Sequence, residues 1–318
     1  MKHNLIVTLT LLGMFLVTQL LGLYIINSYL PHTEIIINST TQLPQNVTIT
    51  PEIPYGMQPP EVQPELSLGS FMFSFAFAIA LIFLLMKLKK PIIMRIWFFV
   101  VIIIALGISF NSFMMNVSYG KYIALGLGVI LSYFKVFKRD LIIHNATELL
   151  VYPGIAVIFV YLFNIYITIF LLLAISVYDI YAVWYAGFMQ KMAKYQMNEV
   201  KVFGGFFIPY VRKEDRAKIQ QLKLLERKGK KIKNKGVKVE LGILGGGDVI
   251  FPLILAGVLL KLMGLIPALI IVAFSTISLL VLFIIARKGK FYPAMPFLTI
   301  GCLLGLLLVS ILKYFSIF

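Results

Sequence analysis

Long apolar runs constrain this chain more than any other feature. A hydrocarbon core about 30 Å thick takes roughly 20 apolar residues of helix to cross, and backbone polar groups inside it must be satisfied by the spanning element itself. Nine runs suit this role, at 4–26, 69–86, 96–114, 122–136, 149–165, 167–187, 243–262, 264–286 and 292–315. The fourth and fifth are short or interrupted by Pro. The fifth and sixth are divided only around Asn164 to Tyr166, and the seventh and eighth only around Met263 and Gly264, so each pair must turn tightly. The first run follows Lys2, is too long for a signal-peptide core and lacks a small-residue cleavage site after it, so it counts as a helix. The expected fold is an all-α polytopic membrane protein with nine transmembrane helices. With 60% hydrophobic and 13% charged residues, the composition lies outside the range of ordinary soluble domains.

Charge supplies the orientation. The formal net charge of +16 would suit a nucleic-acid partner, but the basic residues gather in alternate loops, the pattern that membrane insertion imposes. All 29 Lys and Arg except Lys121, Lys261 and Lys313 fall on one side of the nine-helix layout. The positive-inside rule makes that side cytoplasmic, with the N-terminus inside and the C-terminus outside. The 27–68 loop, which holds Glu34, Glu52, Glu61 and Glu65 but no Lys or Arg, is then extracytoplasmic. Its Asn38-Ser-Thr and Asn46-Val-Thr sequons are compatible with that side.

Three regions follow: a membrane part over 1–187 with six helices, a basic cytoplasmic loop over 188–242, and a membrane part over 243–318 with three helices. Inside the loop, Val202 to Val211 is apolar but too short to span, so it lies at the interface, plugs a cavity or packs loosely on the bundle. Val237, Val239, Leu241 and Ile243 alternate with Lys238, Glu240, Gly242 and Leu244, a period of two that predicts a short strand entering the seventh helix.

The chain has 13 Asp and Glu, and this layout puts only Asp179 and Asp248 inside spans. Asp179 lies in Ser176-Val-Tyr-Asp-Ile-Tyr181 of the sixth helix, and Asp248 in Gly245-Gly-Gly-Asp-Val-Ile250 at the start of the seventh. A carboxylate at membrane depth costs about 3 kcal/mol on insertion scales, so it is kept for a function or a partner. Either Asp alone could bond a neighbouring helix or face a watery vestibule, but neither has a Lys or Arg nearby within its span to neutralise it. Adjacent antiparallel helices can bring the two together. Two carboxylates sharing one site cannot both ionise easily, so they share a proton. One member can then accept a proton from water while the other donates to a scissile amide, with no covalent intermediate. Gly245, Gly246 and Gly247 leave backbone uncovered where an extended substrate would approach, and small-residue helix packing is compatible with the same residues.

These motifs resemble those of the presenilin and signal peptide peptidase family of intramembrane aspartyl proteases, most closely its archaeal homologues. Tyr178-Asp179 matches the family's Tyr-Asp motif, Gly245-Gly246-Gly247-Asp248 its Gly-x-Gly-Asp motif, and the nine-helix layout covers essentially the whole chain. The family's Pro-Ala-Leu motif has two counterparts. Pro267-Ala268-Leu269 has the letters but opens the eighth helix, whereas Pro293-Ala294-Met295 departs by one apolar residue and stands at the ninth. Its position favours the second. The resemblance implies catalytic Asp179 and Asp248, motif or substrate-binding roles for Tyr178, Gly245, Gly246, Gly247, Pro293, Ala294 and Met295, and substrates that are single-pass transmembrane proteins or peptides. It also implies a multi-pass protein in the plasma membrane of a prokaryote, in the presenilin orientation. A helical substrate must unwind before attack, and the strand before Asp248 offers it an edge to pair with.

Prepilin and preflagellin peptidases also carry Gly-x-Gly-Asp, but have fewer helices and usually a Lys two residues after the Asp, where this chain has Ile250. A cation channel or proton-coupled transporter could use two membrane carboxylates, yet no inverted repeat of broken helices is visible. A scaffold binding anionic lipid through Arg212 to Lys238 needs nothing beyond the topological charge. His3, His32 and His144 stand isolated in the sequence, no zinc-type or nucleotide-binding pattern is present, and Cys302 is the single cysteine. No metal, organic cofactor or nucleic acid is expected. The lipid bilayer is the certain partner, and accessory subunits are left open.

Overall fold

The computed structural model describes residues 5–37, 44–57, 69, 73, 77, 91–138, 140–184, 204–210, 240–286 and 292–315. The second expected helix, at 69–86, falls almost wholly outside the described residues, as do the Asn38 sequon, the basic stretch 211–239 and the turn 287–291.

In chain order the elements are α1 (Leu5–Tyr29), β1 (His32–Ile37), β2 (Pro44–Ile49), α2 (Pro91–Phe113) and α3 (Gly120–Tyr133), the last prolonged by a π-helical turn over Phe134–Lys138. Then come α4 (Leu141–Leu162), α5 (Ile165–Trp184), β3 (Gly205–Tyr210), β4 (Glu240–Gly245), α6 (Gly246–Met263), α7 (Leu265–Ile285) and α8 (Met295–Tyr314). Thus α5, α6 and α8 are the sixth, seventh and ninth spans of the sequence layout. Among the described residues eight helices, counting α3 with its π turn, are long and apolar enough to cross a membrane. Large apolar side chains cover their outer faces: Ile6, Trp97, Tyr166, Val177 and Leu307 are each more than half exposed. Water would not tolerate such a surface, whereas lipid is its natural solvent. The chain is an integral, multi-pass membrane protein.

Local chemistry sets the helix boundaries. Asn164 Oδ1 accepts from the Ile167 N–H at 2.9 Å and caps α5 two residues after α4 ends. Gly264, at φ 89°, makes the single-residue turn between α6 and α7. Asp140 Oδ1 accepts from Ile142 and Ile143 N–H at 2.8 and 3.1 Å, so α4 begins at Leu141. The sequence reading starts that helix at 149, because the polar stretch His144 to Glu148 breaks the apolar run. Inside the structure that stretch is helical, and its polar side chains meet β3 instead of lipid.

The bundle is organised around α6, which packs against α1, α4, α5, α7 and α8. Its middle, from Pro252 to Leu260, is buried throughout. Outside the bundle, β1 and β2 pair antiparallel from His32↔Ile49 to Ile37↔Pro44. After them Tyr55 Oη donates to the Lys121 carbonyl at 2.7 Å, and burial pushes its phenol up to about 12. The strand expected before the seventh helix is present as β4, its 237–239 start lying outside the described residues. The Val202 to Val211 segment, read as lying at the interface, plugging a cavity or packing loosely, supplies β3, which pairs antiparallel with β4 from Gly205↔Gly245 to Tyr210↔Glu240.

Candidate active site

Asp179 sits near the C-terminal end of α5 and is 5% exposed. Its Oδ2 accepts the Met295 N–H at 3.0 Å, and the Ala294 N–H donates to the same carboxylate. These amides belong to the start of α8, where the first four N–H groups have no partner inside the helix. Pro296 stands in that first turn, while Pro293 and Ala294 precede it. One turn earlier on α5, the Ser176 and Thr299 hydroxyls lie 2.6 Å apart, and both also bond the Leu172 carbonyl. A strip of polar contacts in an otherwise apolar interface therefore fixes α5 to α8 at Asp179 and over the turn before it. Tyr178 points elsewhere, 52% exposed on the outer side of α5.

Asp248 is held differently. β4 runs into α6 without a linker, because Gly245 is both the last strand residue and the helix N-cap. The Gly245 N–H donates back to the Asp248 carboxylate, half of a capping box in which the third helical residue satisfies the cap's own amide. A Cβ on Gly245 would come within 3.1 Å of Asp248 Oδ2, and one on Gly246 would lie 2.7 Å from Tyr152 Oη. Gly247 is exposed and has room for a Cβ. Of the three glycines, the middle one is thus demanded by packing against α4, while the third leaves backbone open. Pro252 lacks an N–H and deprives the Asp248 carbonyl of its intrahelical donor. The Asp179 and Asp248 carboxyl groups are close enough to interact electrostatically.

Several residues beside this pair are not singled out by sequence reasoning. Gln19, fully buried in α1, donates through Nε2 to the Val249 carbonyl at 2.8 Å, and its Oε1 has no hydrogen-bond partner. A lone Gln in a 25-residue apolar helix is the signal that points to it. Glu148 is a third carboxylate inside a span, contrary to the expectation of two, because α4 starts earlier than its apolar run. It is 2% exposed and forms an ion pair with buried Lys135 at 2.7 Å, and the His144 ring lies 3.6 Å from it. His144 is consequently not isolated. Tyr152, one turn beyond Glu148, lies within electrostatic reach of both Glu148 and Asp248.

Among the described residues, no group of three or more His, Cys, Asp or Glu is placed to hold a metal ion. A cavity of about 560 Å³ is lined by residues such as Glu52, Asn111 and Lys121 and by none of those surrounding the two aspartates.

Neither a family model nor a curated protein matches the sequence. Solved structures do. Two of them, each described as a presenilin family intramembrane aspartate protease, in space groups C222 and P2, superpose with a TM-score of 0.57 at 17% identity. The match covers 96% of this chain, with 99% of the first structure and 97% of the second. At that identity the likeness shows the fold, which extends over essentially the whole length of both proteins.

Proposed function

We propose that this chain, which has the fold of presenilin family intramembrane aspartate proteases, is itself an intramembrane aspartyl endopeptidase with Asp179 and Asp248 as its catalytic pair. The observation that carries the reading is that two carboxyl groups on neighbouring spanning helices lie within electrostatic reach of each other. Two carboxylates sharing one site are expected to share a proton, so one can take a proton from water as the other protonates the carbonyl or leaving amine of the substrate. The pair titrates as a unit, and base and acid are not assigned separately. Amides of Ala294 and Met295 orient Asp179, which gives Pro293-Ala294-Met295 a role as a carboxylate holder and supports the choice of this segment over Pro267-Ala268-Leu269.

Substrates of this reading are transmembrane segments entering from the bilayer and unwinding before attack. Gly246 N–H bonds Gly204 O, so by the alternation of an antiparallel ladder Gly205 and Phe207 turn their peptide groups outward from β3 and Ile243 turns its own outward from β4. The outward groups of β3 are taken by α4 side chains, which leaves the Ile243 edge to receive an unwound substrate by strand addition. Nine helices, with the second over 69–86, the N-terminus inside and the C-terminus outside, fit the positive-inside pattern, and the reading places the protein in the plasma membrane of a prokaryote.

The test is purified protein in lipid vesicles, given a reporter with a transmembrane helix, with products identified by mass and ion flux recorded in parallel. Cleavage within the reporter helix, lost by about 10³-fold or more in both Asp179→Asn and Asp248→Asn, is the expected result. Absence of cleavage in the wild type, or flux that depends on either Asp, would replace the protease with a conducting protein.

A further inference from the structure

The polar start of α4 has no part in the reaction just described, yet its His144, Asn145 and Glu148 side chains all reach β3. The Asn145 amide donates to the Phe207 carbonyl at 2.7 Å and accepts the Phe207 N–H at 3.0 Å, the two bonds that a neighbouring strand would make. Both bonds together also fix which end of the amide is oxygen. Two residues along, His144 Nε2–H donates to the Gly205 carbonyl at 2.8 Å, while Glu148 Oε1 lies 3.5 Å from the Gly205 N–H. The His144 ring packs against that of Phe207 with centroids 5.1 Å apart. Lys135, from the π turn after α3, neutralises Glu148 and ties the arrangement to a third element.

A two-stranded hairpin is marginal by itself, and a slip of one residue turns every side chain to the opposite face. Here such a slip has a further consequence, since β4 passes directly into α6 and Asp248 follows only three residues after Gly245. We propose that His144 and Asn145 are positioning residues for the catalytic pair: their side chains replace a third strand on the outer edge of β3 and so hold the β3–β4 hairpin in the register that presents Asp248 to Asp179. Closing this edge also leaves β4 as the side on which a substrate strand can add. The proposal rests on the reading of Asp248 as catalytic.

The experiment compares Asn145→Leu and His144→Phe with Thr147→Val in vesicle-reconstituted full-length protein. Leu keeps the volume of Asn145 without its bonds, and Phe keeps the ring on Phe207 without the donor. Thr147 is the control, because its hydroxyl bonds only the Ile143 and His144 carbonyls of its own helix. Two quantities are read: amide hydrogen exchange of 205–210, and kcat and KM for a transmembrane reporter. The expected result for both α4 variants is exchange and kcat each changed by about tenfold, equivalent to about 1.4 kcal/mol, with KM within about twofold and Thr147→Val unchanged. His144→Phe is the milder change and carries the test should Asn145→Leu fail to fold. Unchanged exchange, faster exchange with wild-type kcat, or the same losses in Thr147→Val would each overturn the proposal. Cleavage surviving in Asp248→Asn would instead remove the catalytic reading and leave the exchange result standing.

Discussion

The two aspartates sit in cradles built on different principles. Around Asp179 the protein uses direct hydrogen bonds on regular helices: Met295 and Ala294 amides on the carboxylate, and the Ser176–Thr299 contact one turn away. Around Asp248 it uses backbone shape, through a strand that becomes a helix at Gly245, a glycine with no room for a methyl group, and Pro252 in the first turns of α6. The first cradle is built on polarity, and the second on volume. The difference suits the proposed chemistry, because an extended substrate must approach backbone near one carboxylate while the other is held from the far side.

Substitutions can break or sharpen this contrast. The largest effect is expected from Gly246→Ala, whose methyl group must displace Tyr152. Overpacking of this kind costs about 1–3 kcal/mol, so turnover of a transmembrane reporter should fall about tenfold to a hundredfold. Gly246→Ala combined with Tyr152→Leu should recover most of it, and a pair no better than the single change would show that volume is not what the second cradle senses. Ile243→Pro comes next. Pro removes the outward N–H of β4 while sparing the pairs that bond β3, so cleavage of helical reporters should drop about tenfold with the thermal midpoint nearly unchanged. Ser176→Ala should be the smallest, since a single buried hydroxyl contributes about 1 kcal/mol and turnover should fall no more than about fivefold. A larger loss for Ser176→Ala than for Gly246→Ala would reverse the ranking of the two cradles.

The same contrast explains what could be read from the sequence. A helix that crosses lipid must be apolar along its length, so α1, α5, α7 and α8 are visible as runs, and Asp179 stands out by being charged within one. The turns at Asn164 and Gly264 are visible because a cap and a left-handed residue each leave a local signature. The bond from Met295 to Asp179 spans 116 residues, and only the position of the Pro-Ala-Met segment hinted at it. The surroundings of Asp248 were harder to foresee. His144, Asn145 and Glu148 read as loop residues because their partners, Gly205 and Phe207, lie 57 to 62 positions away in a segment whose strand character is masked by Gly and Pro. Asp140, as a helix cap, was the one local sign that the polar stretch is helical.

The most direct test of the central claim, that Asp179 and Asp248 form one site, is the affinity of a peptide in which a tetrahedral, hydroxyl-bearing isostere replaces the scissile amide. It is compared with the same peptide carrying the amide, in wild type, Asp179→Asn and Asp248→Asn. A shared catalytic pair predicts that the wild type prefers the isostere by about 10²-fold or more and that each single variant loses the preference. A preference retained by either variant would contradict the shared site.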